Sequence, residues 1–148
     1  MYRTIVVGSD GSPTAALAVD RAIALADGDE ATLHVVHVVR PITMLSGESV
    51  DPAAISAAHE AARSEGDGVC DRAREQGERA GVRVEAHLVE GDPADMLITV
   101  AGEMKADVIV VGNRGMSGIR RFVLGSVPNK VSHHCPCDLL IVNTADRA

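Results

Sequence analysis

The chain has 148 residues, of which 46% are apolar and 24% charged, and 14 Lys and Arg face 21 Asp and Glu. This length fits one domain, taken as residues 1–148, and the composition excludes disordered and collagen-like chains. A formal charge of −7 with no Trp, one Tyr and one Phe argues against a nucleic-acid binder, which needs a basic surface and stacking rings.

Membrane and secretory segments are not expected. No apolar run approaches the roughly 18 residues that span a bilayer. The residues 1–5 enter a strand-like run at once, without the pattern of a signal peptide. Three cysteines, an odd and low number, argue against a disulfide framework. These features together predict a cytoplasmic protein.

The first half of the chain contains two predicted strands and two predicted helices. A β-branched run at residues 4–7, ended by Gly8, predicts the first strand. Ser12-Pro13 provides a helix cap and a first-turn proline, and Gly28 lies just past the predicted helix end. The second strand covers residues 32–39. A long helix begins at residues 51–52 and ends at Gly81, and glycines at 66 and 68 bend or break it.

The second half continues the alternation. Residues 82–88 alternate apolar and polar, as in a strand with one wet side or at an edge. Gly91-Asp92-Pro93 caps a third helix. A fourth strand at residues 108–111 ends at Gly112, a short helix covers roughly residues 127–133, and the last strand is residues 139–142.

This order of elements is typical of a parallel sheet with helices on both faces. Ligands of such sheets bind at the carboxyl ends of the strands, where the strand order reverses. If the first and fourth strands are neighbours, their loops meet in one crevice. A Rossmann-like five-stranded sheet in the order 3-2-1-4-5 has this property.

The strongest motif follows the fourth strand: Gly112-Asn113-Arg114-Gly115, nine residues, then Gly125-Ser126. Glycines let backbone N–H groups approach a phosphate, and a helix N-terminus attracts anions. Ser126 is a suitable N-cap, and Arg114 is the obvious cation. The competing interpretation is a glycine-rich surface turn that leads into a capped helix.

A second motif, Val7-Gly8-Ser9-Asp10-Gly11-Ser12, follows the first strand. Asp10 is suited to bind a sugar hydroxyl or a divalent cation, although Asp, Gly and Ser are also common in turns. Neither a P-loop nor a dinucleotide-binding glycine fingerprint is present.

Metal and catalytic sites are not expected. The Cys-x-Cys spacing in residues 133–137 is too short for the common zinc sites, so these residues are taken as a loop that leads into the last strand. The other histidines, 34, 37, 59 and 87, are dispersed along the sequence and are assigned structural or surface roles. No catalytic residues are assigned.

These motifs resemble those of the universal stress protein family, and the resemblance covers nearly all of the chain. The glycine-rich motif matches the family's nucleotide-binding branch. Further matches are Asp10 after the first strand, His37-Val38 in the second, Gly91-Asp92-Pro93 before the third helix and Cys135-Pro136 before the last strand.

The resemblance implies an adenine nucleotide in the crevice, and we expect ATP or another adenine nucleotide, bound with Mg²⁺. Asp10 would face the ribose or the metal, Val38 would contact adenine, and the glycine-rich motif would surround the phosphates and ribose. The predicted nucleotide-binding residues are Gly8, Ser9, Asp10, Val38, Val111, Gly112, Arg114, Gly115, Gly125, Ser126 and Val127.

Three functions fit these expectations. The first is a stress-response or signalling module that binds ATP. The second is a slow ATP hydrolase, which is disfavoured because no general base accompanies the phosphate motif. The third is a sensor of cyclic AMP or AMP.

The last strand is also a predicted dimer interface. In the 3-2-1-4-5 order it is an edge, and Leu139-Leu140-Ile141-Val142 is an unbroken apolar run. An apolar edge is an aggregation hazard unless it is paired or covered, and a two-fold partner would pair it. The alternative is that residues 143–148 fold back over this edge.

Overall fold

The computed structural model describes residues 1–42, 51–113 and 124–144, and strands and helices alternate along these residues. The strands are β1 (Thr4–Gly8), β2 (Thr32–Val39), β3 (Arg83–Glu90), β4 (Val108–Gly112) and β5 (Asp138–Val142). The helices are α1 (Pro13–Asp29), α2 (Pro52–Ala80), α3 (Pro93–Glu103) and α4 (Ser126–His134).

The five strands form one parallel sheet in the order β3-β2-β1-β4-β5, which confirms the predicted topology. In the centre, Val6 of β1 lies between His34 of β2 and Ile109 of β4. The order reverses at β1, so the carboxyl ends of β1 and β4 flank a crevice of the kind that binds ligands in such sheets.

Strand side chains alternate between two apolar cores, one on each face of the sheet. Ile5, Val7 and Val110 belong to the core that α1 and α2 cover. Val6, Ile109 and Val111 belong to the core that α3 and α4 cover. Burial on both faces explains why the central strands are continuous apolar runs rather than alternating ones.

Helix α1 begins as expected and ends later than expected. Ser12 is its N-cap, and its Oγ accepts a hydrogen bond from Ala15 N–H at 3.1 Å. Gly28 lies inside the helix rather than beyond it. Glu30 follows the helix in the left-handed conformation, with φ 54°. The helix end predicted from Gly28 was therefore two residues too early.

Helix α2 is continuous through both glycines that were expected to bend or break it. Gly66 is needed for packing: a Cβ there would lie 2.5 Å from Leu88 Cδ1 and 2.9 Å from His37 Cδ2. A Cβ at Gly77 would likewise collide with Val84. Close packing of α2 on the sheet therefore accounts for Gly66 and Gly77, and it outweighs their poor helix propensity.

The end of the chain also differs from expectation in detail. His133 and His134 form the last turn of α4 rather than part of a loop. Among the helices within the described ranges, none is long and apolar enough to cross a bilayer.

Candidate functional site

The loop after β1 is fixed by backbone and side-chain hydrogen bonds. Ser9 N–H donates to Val36 O at 3.0 Å, and His37 Nδ1 donates to Ser9 O at 2.9 Å. Gly8 lies against α3, where a Cβ would come within 2.8 Å of Leu97 Cδ1. Gly8 and Ser9 therefore hold the backbone at the edge of the crevice in one position.

Asp10 is exposed and forms a turn in this loop. Its Oδ1 accepts a hydrogen bond from Ser12 N–H at 2.9 Å, and Gly11 follows with a φ of 81°. The turn interpretation of this aspartate is therefore correct as far as one oxygen is concerned. A carboxylate has two oxygens and about four acceptor positions, so a turn-forming Asp10 retains the capacity to bind a hydroxyl or a cation.

Asn113, the residue after β4, is the centre of a hydrogen-bond network that sequence analysis did not assign. Its Oδ1 accepts from Thr144 N–H at 2.9 Å and from Thr144 Oγ1 at 2.7 Å. Its backbone N–H donates to Val142 O, and its carbonyl accepts from Gly125 N–H, both at 2.9 Å. Asn113 thus joins the end of β4, the end of β5 and the start of α4.

The two ends of the glycine-rich motif consequently lie side by side. The bond between Asn113 and Gly125 brings residues 112–113 and 125–126 together at the carboxyl end of β4. Arg114 and Gly115 lie outside the described residues, so their predicted roles stay predictions. The signal for Asn113 was present in its position directly after a strand, where a short amide can bond to neighbouring backbone.

Helix α4 begins one residue earlier than predicted, and Ser126 is not its N-cap. Gly125 occupies the cap position, with no side-chain hydrogen bond to the helix. Ser126 is the first helical residue and is exposed. The first N–H groups of a helix have no partner within it, so this end of α4, beside Gly112, has the character of an anion site.

Three valines of the predicted site lie on the sheet face that α3 and α4 cover. Val111 is almost fully buried, with 3% of its surface exposed, so it supplies backbone and core rather than a ligand-facing side chain. Val38 and Val127 are partly buried against the same core, which leaves part of each side chain accessible. The structure therefore places an apolar surface on this face of the sheet.

The cysteines and two of the histidines also occupy positions of interest. Burial, with Cys135 beside it, raises the pKa of the Cys137 thiol to about 12, which keeps it protonated and a poor metal ligand. His34 and His87, dispersed in sequence, lie in contact on adjacent strands. Their separation along the chain concealed this proximity, which depends on the register of β2 and β3.

Comparisons with known proteins agree with this arrangement. A model of the universal stress protein family matches residues 1–143. The chain belongs to the universal stress protein family. The matched residues include all five strands, both strand ends that flank the crevice and the whole glycine-rich motif.

Three relatives of this universal stress protein match over nearly their full length. Universal stress protein Rv1636 of Mycobacterium tuberculosis is 37% identical over 150 residues, with 97% of each chain covered. YxiE of Bacillus subtilis is 33% identical, with 96% of this chain and 99% of the relative covered. A crystal structure of a universal stress protein in complex with cAMP has a TM-score of 0.75, 35% identity and coverage of 97% and 99%.

Proposed function

We propose that this universal stress protein binds an adenine nucleotide, ATP with Mg²⁺, between the ends of β1 and β4 and acts as a cytoplasmic stress-response module. The observation that carries the proposal is the pairing of Asn113 with Gly125, which brings both ends of the glycine-rich motif to the crevice. A relative of 35% identity that was crystallised with cAMP supports an adenine nucleotide as the ligand.

Each part of the crevice has a role in this proposal. Backbone N–H groups at the start of α4 would bind the phosphates together with the rest of the glycine-rich motif. The N–H groups of Asn113 and Gly125 are already used, because they donate to Val142 O and Asn113 O. Ser126 would add a hydroxyl, and Arg114 with Gly115 would complete the phosphate site. The apolar surface of Val38 would contact the adenine ring.

Asp10 is the residue that would hold Mg²⁺ or the ribose. It is exposed at the crevice, and its turn with Ser12 uses one of its carboxylate oxygens. Mg²⁺ is usually bound by one or two carboxylates together with substrate phosphates. A bound Mg²⁺ would neutralise part of the phosphate charge, and Asp10 would fix its position relative to the loop.

A second candidate is a sensor of cyclic AMP. The relative crystallised with cAMP favours it, since the same crevice would take a monophosphate. Hydrolysis is a weaker candidate: at most slow turnover is expected, because Asp10 is the only carboxylate assigned to the site.

Parallel calorimetric titrations with ATP, ADP, AMP and cyclic AMP test the proposal, each with and without Mg²⁺. A preference for ATP that depends on Mg²⁺ supports the first candidate. A preference for cyclic AMP that is independent of Mg²⁺ supports the second. The Asp10→Ala variant should weaken ATP binding by about 1–3 kcal/mol and remove the effect of Mg²⁺.

We also propose a homodimer through β5. The strand is at one edge of the sheet, and edge backbone groups favour pairing with another strand. Leu139 and Ile141 pack against this chain's own core, and Val142 is buried, so the apolar run is partly explained without a partner. Leu140 is the exception, with 37% of its surface exposed, and the interface proposal rests on it and on the edge backbone.

A further inference from the structure

Two histidines and a glutamate form a compact cluster on β2 and β3, on the sheet face that carries Val36. His34 Nδ1 lies 2.9 Å from His87 Nε2 and 3.7 Å from Glu85 Oε2. The ligating atoms of all three residues lie within 4.8 Å of one another. Strand register explains the cluster, because His34 is paired with Glu85 and the next residue on that face, Val36, with His87.

Two of the three separations are close to those of ligands around one metal ion. Bonds of 2.0–2.1 Å in a tetrahedron place neighbouring ligand atoms about 3.3 Å apart. The observed 2.9 Å and 3.7 Å lie on either side of that value, so small side-chain rotations suffice. Two imidazoles and one carboxylate form a donor set that zinc proteins use, with the remaining position left for water or another ligand.

A hydrogen bond from outside the cluster orients its carboxylate. Arg83 donates to Glu85 Oε1 at 3.1 Å, which orients the carboxylate so that Oε2 faces His34, as outer-shell partners of metal ligands do.

The cluster is accessible, and none of its residues is assigned to the nucleotide site. His34 is buried, whereas Glu85 and His87 are partly exposed on an edge strand, so an ion can enter from that edge. His34 precedes Val38, the predicted adenine contact, by four residues on the same face of β2, about 13 Å at the usual rise per residue. His87 is paired with Val36, two residues before Val38.

We propose that His34, Glu85 and His87 bind one divalent transition-metal ion of the Zn²⁺ class. The proposal is independent of nucleotide binding, since it rests on the pairing of β2 with β3 and not on the ends of β1 and β4. The metal would link an edge strand to the interior of the sheet, and it would therefore stabilise the attachment of β3.

The test is a calorimetric titration of the full chain, without a histidine tag, with ZnCl₂ after chelator treatment and dialysis. One ion should bind per chain. His87→Gln and Glu85→Gln remove a partly exposed ligand each without emptying the core, and each should weaken binding at least about 10-fold. Circular dichroism checks that both variants remain folded, and ATP affinity should not change in either.

Two control variants identify other histidine sites. His59→Gln removes a histidine of α2 that pairs with Glu90 of β3, with Nε2 and Oε2 3.7 Å apart. The double variant His133→Gln/His134→Gln removes the pair that precedes Cys135. Both variants should bind zinc with the wild-type affinity. The Co²⁺ form of the wild-type chain should lack a thiolate charge-transfer band.

The absence of saturable one-to-one binding would overturn the proposal. Unchanged affinity in His87→Gln would do so as well, because the ion would then be held elsewhere. Loss of binding in His133→Gln/His134→Gln, or a thiolate band with Co²⁺, would assign the ion to residues near Cys135 and Cys137 instead.

Discussion

Replacing Asn113 by Ala should destabilise the fold and weaken nucleotide binding at the same time. The side chain is the acceptor for two hydrogen bonds from Thr144, at 2.9 Å and 2.7 Å. Thr144 is 2% exposed, so water has little access to the donors that lose their partner. Asn113 also connects β4 to Gly125, because its backbone carbonyl accepts a hydrogen bond from Gly125 N–H.

The magnitude follows from the two donors. A buried backbone N–H left without an acceptor costs about 1–3 kcal/mol. The Thr144 hydroxyl can rotate, so its lost bond adds about 0.5–1.5 kcal/mol. The free energy of unfolding should therefore fall by about 1.5–4.5 kcal/mol, which is a large share of the 5–15 kcal/mol typical of a folded protein.

Urea unfolding of Asn113→Ala, Thr144→Val and the double variant measures the effect. Thr144→Val removes the hydroxyl donor alone and should cost about 0.5–1.5 kcal/mol, and the double variant should cost less than the sum of the two single changes. Asn113→Asp keeps the acceptor, so it should unfold near the wild-type midpoint yet bind ATP more weakly, because it adds a negative charge beside the phosphates. A change of less than about 0.5 kcal/mol in Asn113→Ala, the scale of ordinary surface substitutions, would refute the assigned role.

Three further predictions concern packing, electrostatics and assembly. Gly77→Ala should destabilise the fold by about 1–3 kcal/mol, because its Cβ would collide with Val84 and lie 3.1 Å from Val82 O. Gly68→Ala should instead stabilise the fold by up to about 1 kcal/mol, because its Cβ would meet only Arg72 Nη1, at 3.4 Å. Equal effects of the two variants in urea unfolding would contradict this account. Hydrogen bonding from Asp95 N–H, supported by Lys130, lowers the pKa of Asp92. Asp92→Ala should therefore lower the free energy of unfolding by about 1 kcal/mol near neutral pH. This difference from the wild type should shrink as the pH falls below about 4, and a difference that grows towards acid would contradict the prediction. Leu140→Lys should convert the proposed dimer to a 15.4 kDa monomer in light scattering, whereas Leu17→Lys, at a leucine that is 45% exposed on α1, should leave it dimeric; a monomeric wild type at micromolar concentration would contradict the interface.

The sheet was predictable because its central strands are buried on both faces and therefore appear as continuous apolar runs. Helix ends were harder to predict. The glycine at position 28 suggested an end that the structure places at Glu30, since a non-glycine residue occupies the left-handed position. Ser126 suggested an N-cap by residue type, whereas Gly125 occupies that position.

The candidate site was likewise predictable in part. Glycine spacing indicated which segments belong to the crevice, because it reports where the backbone can approach an anion. The contact of Asn113 with Thr144 depends on how β4 and β5 end relative to each other, and the contact of His34 with His87 depends on the register of β2 and β3. Neither relation is visible in the spacing of residues along the chain.

Calorimetric titration of the nucleotide-free chain with ATP and Mg²⁺, beside the same titration of Gly125→Val, tests the central claim most directly. The wild type should bind one ATP per chain. Gly125→Val should remain folded by circular dichroism and lose binding, because a branched side chain would stand where the two ends of the glycine-rich motif meet. No binding by the wild type, or unchanged affinity in a folded Gly125→Val, would contradict the claim that this crevice binds an adenine nucleotide.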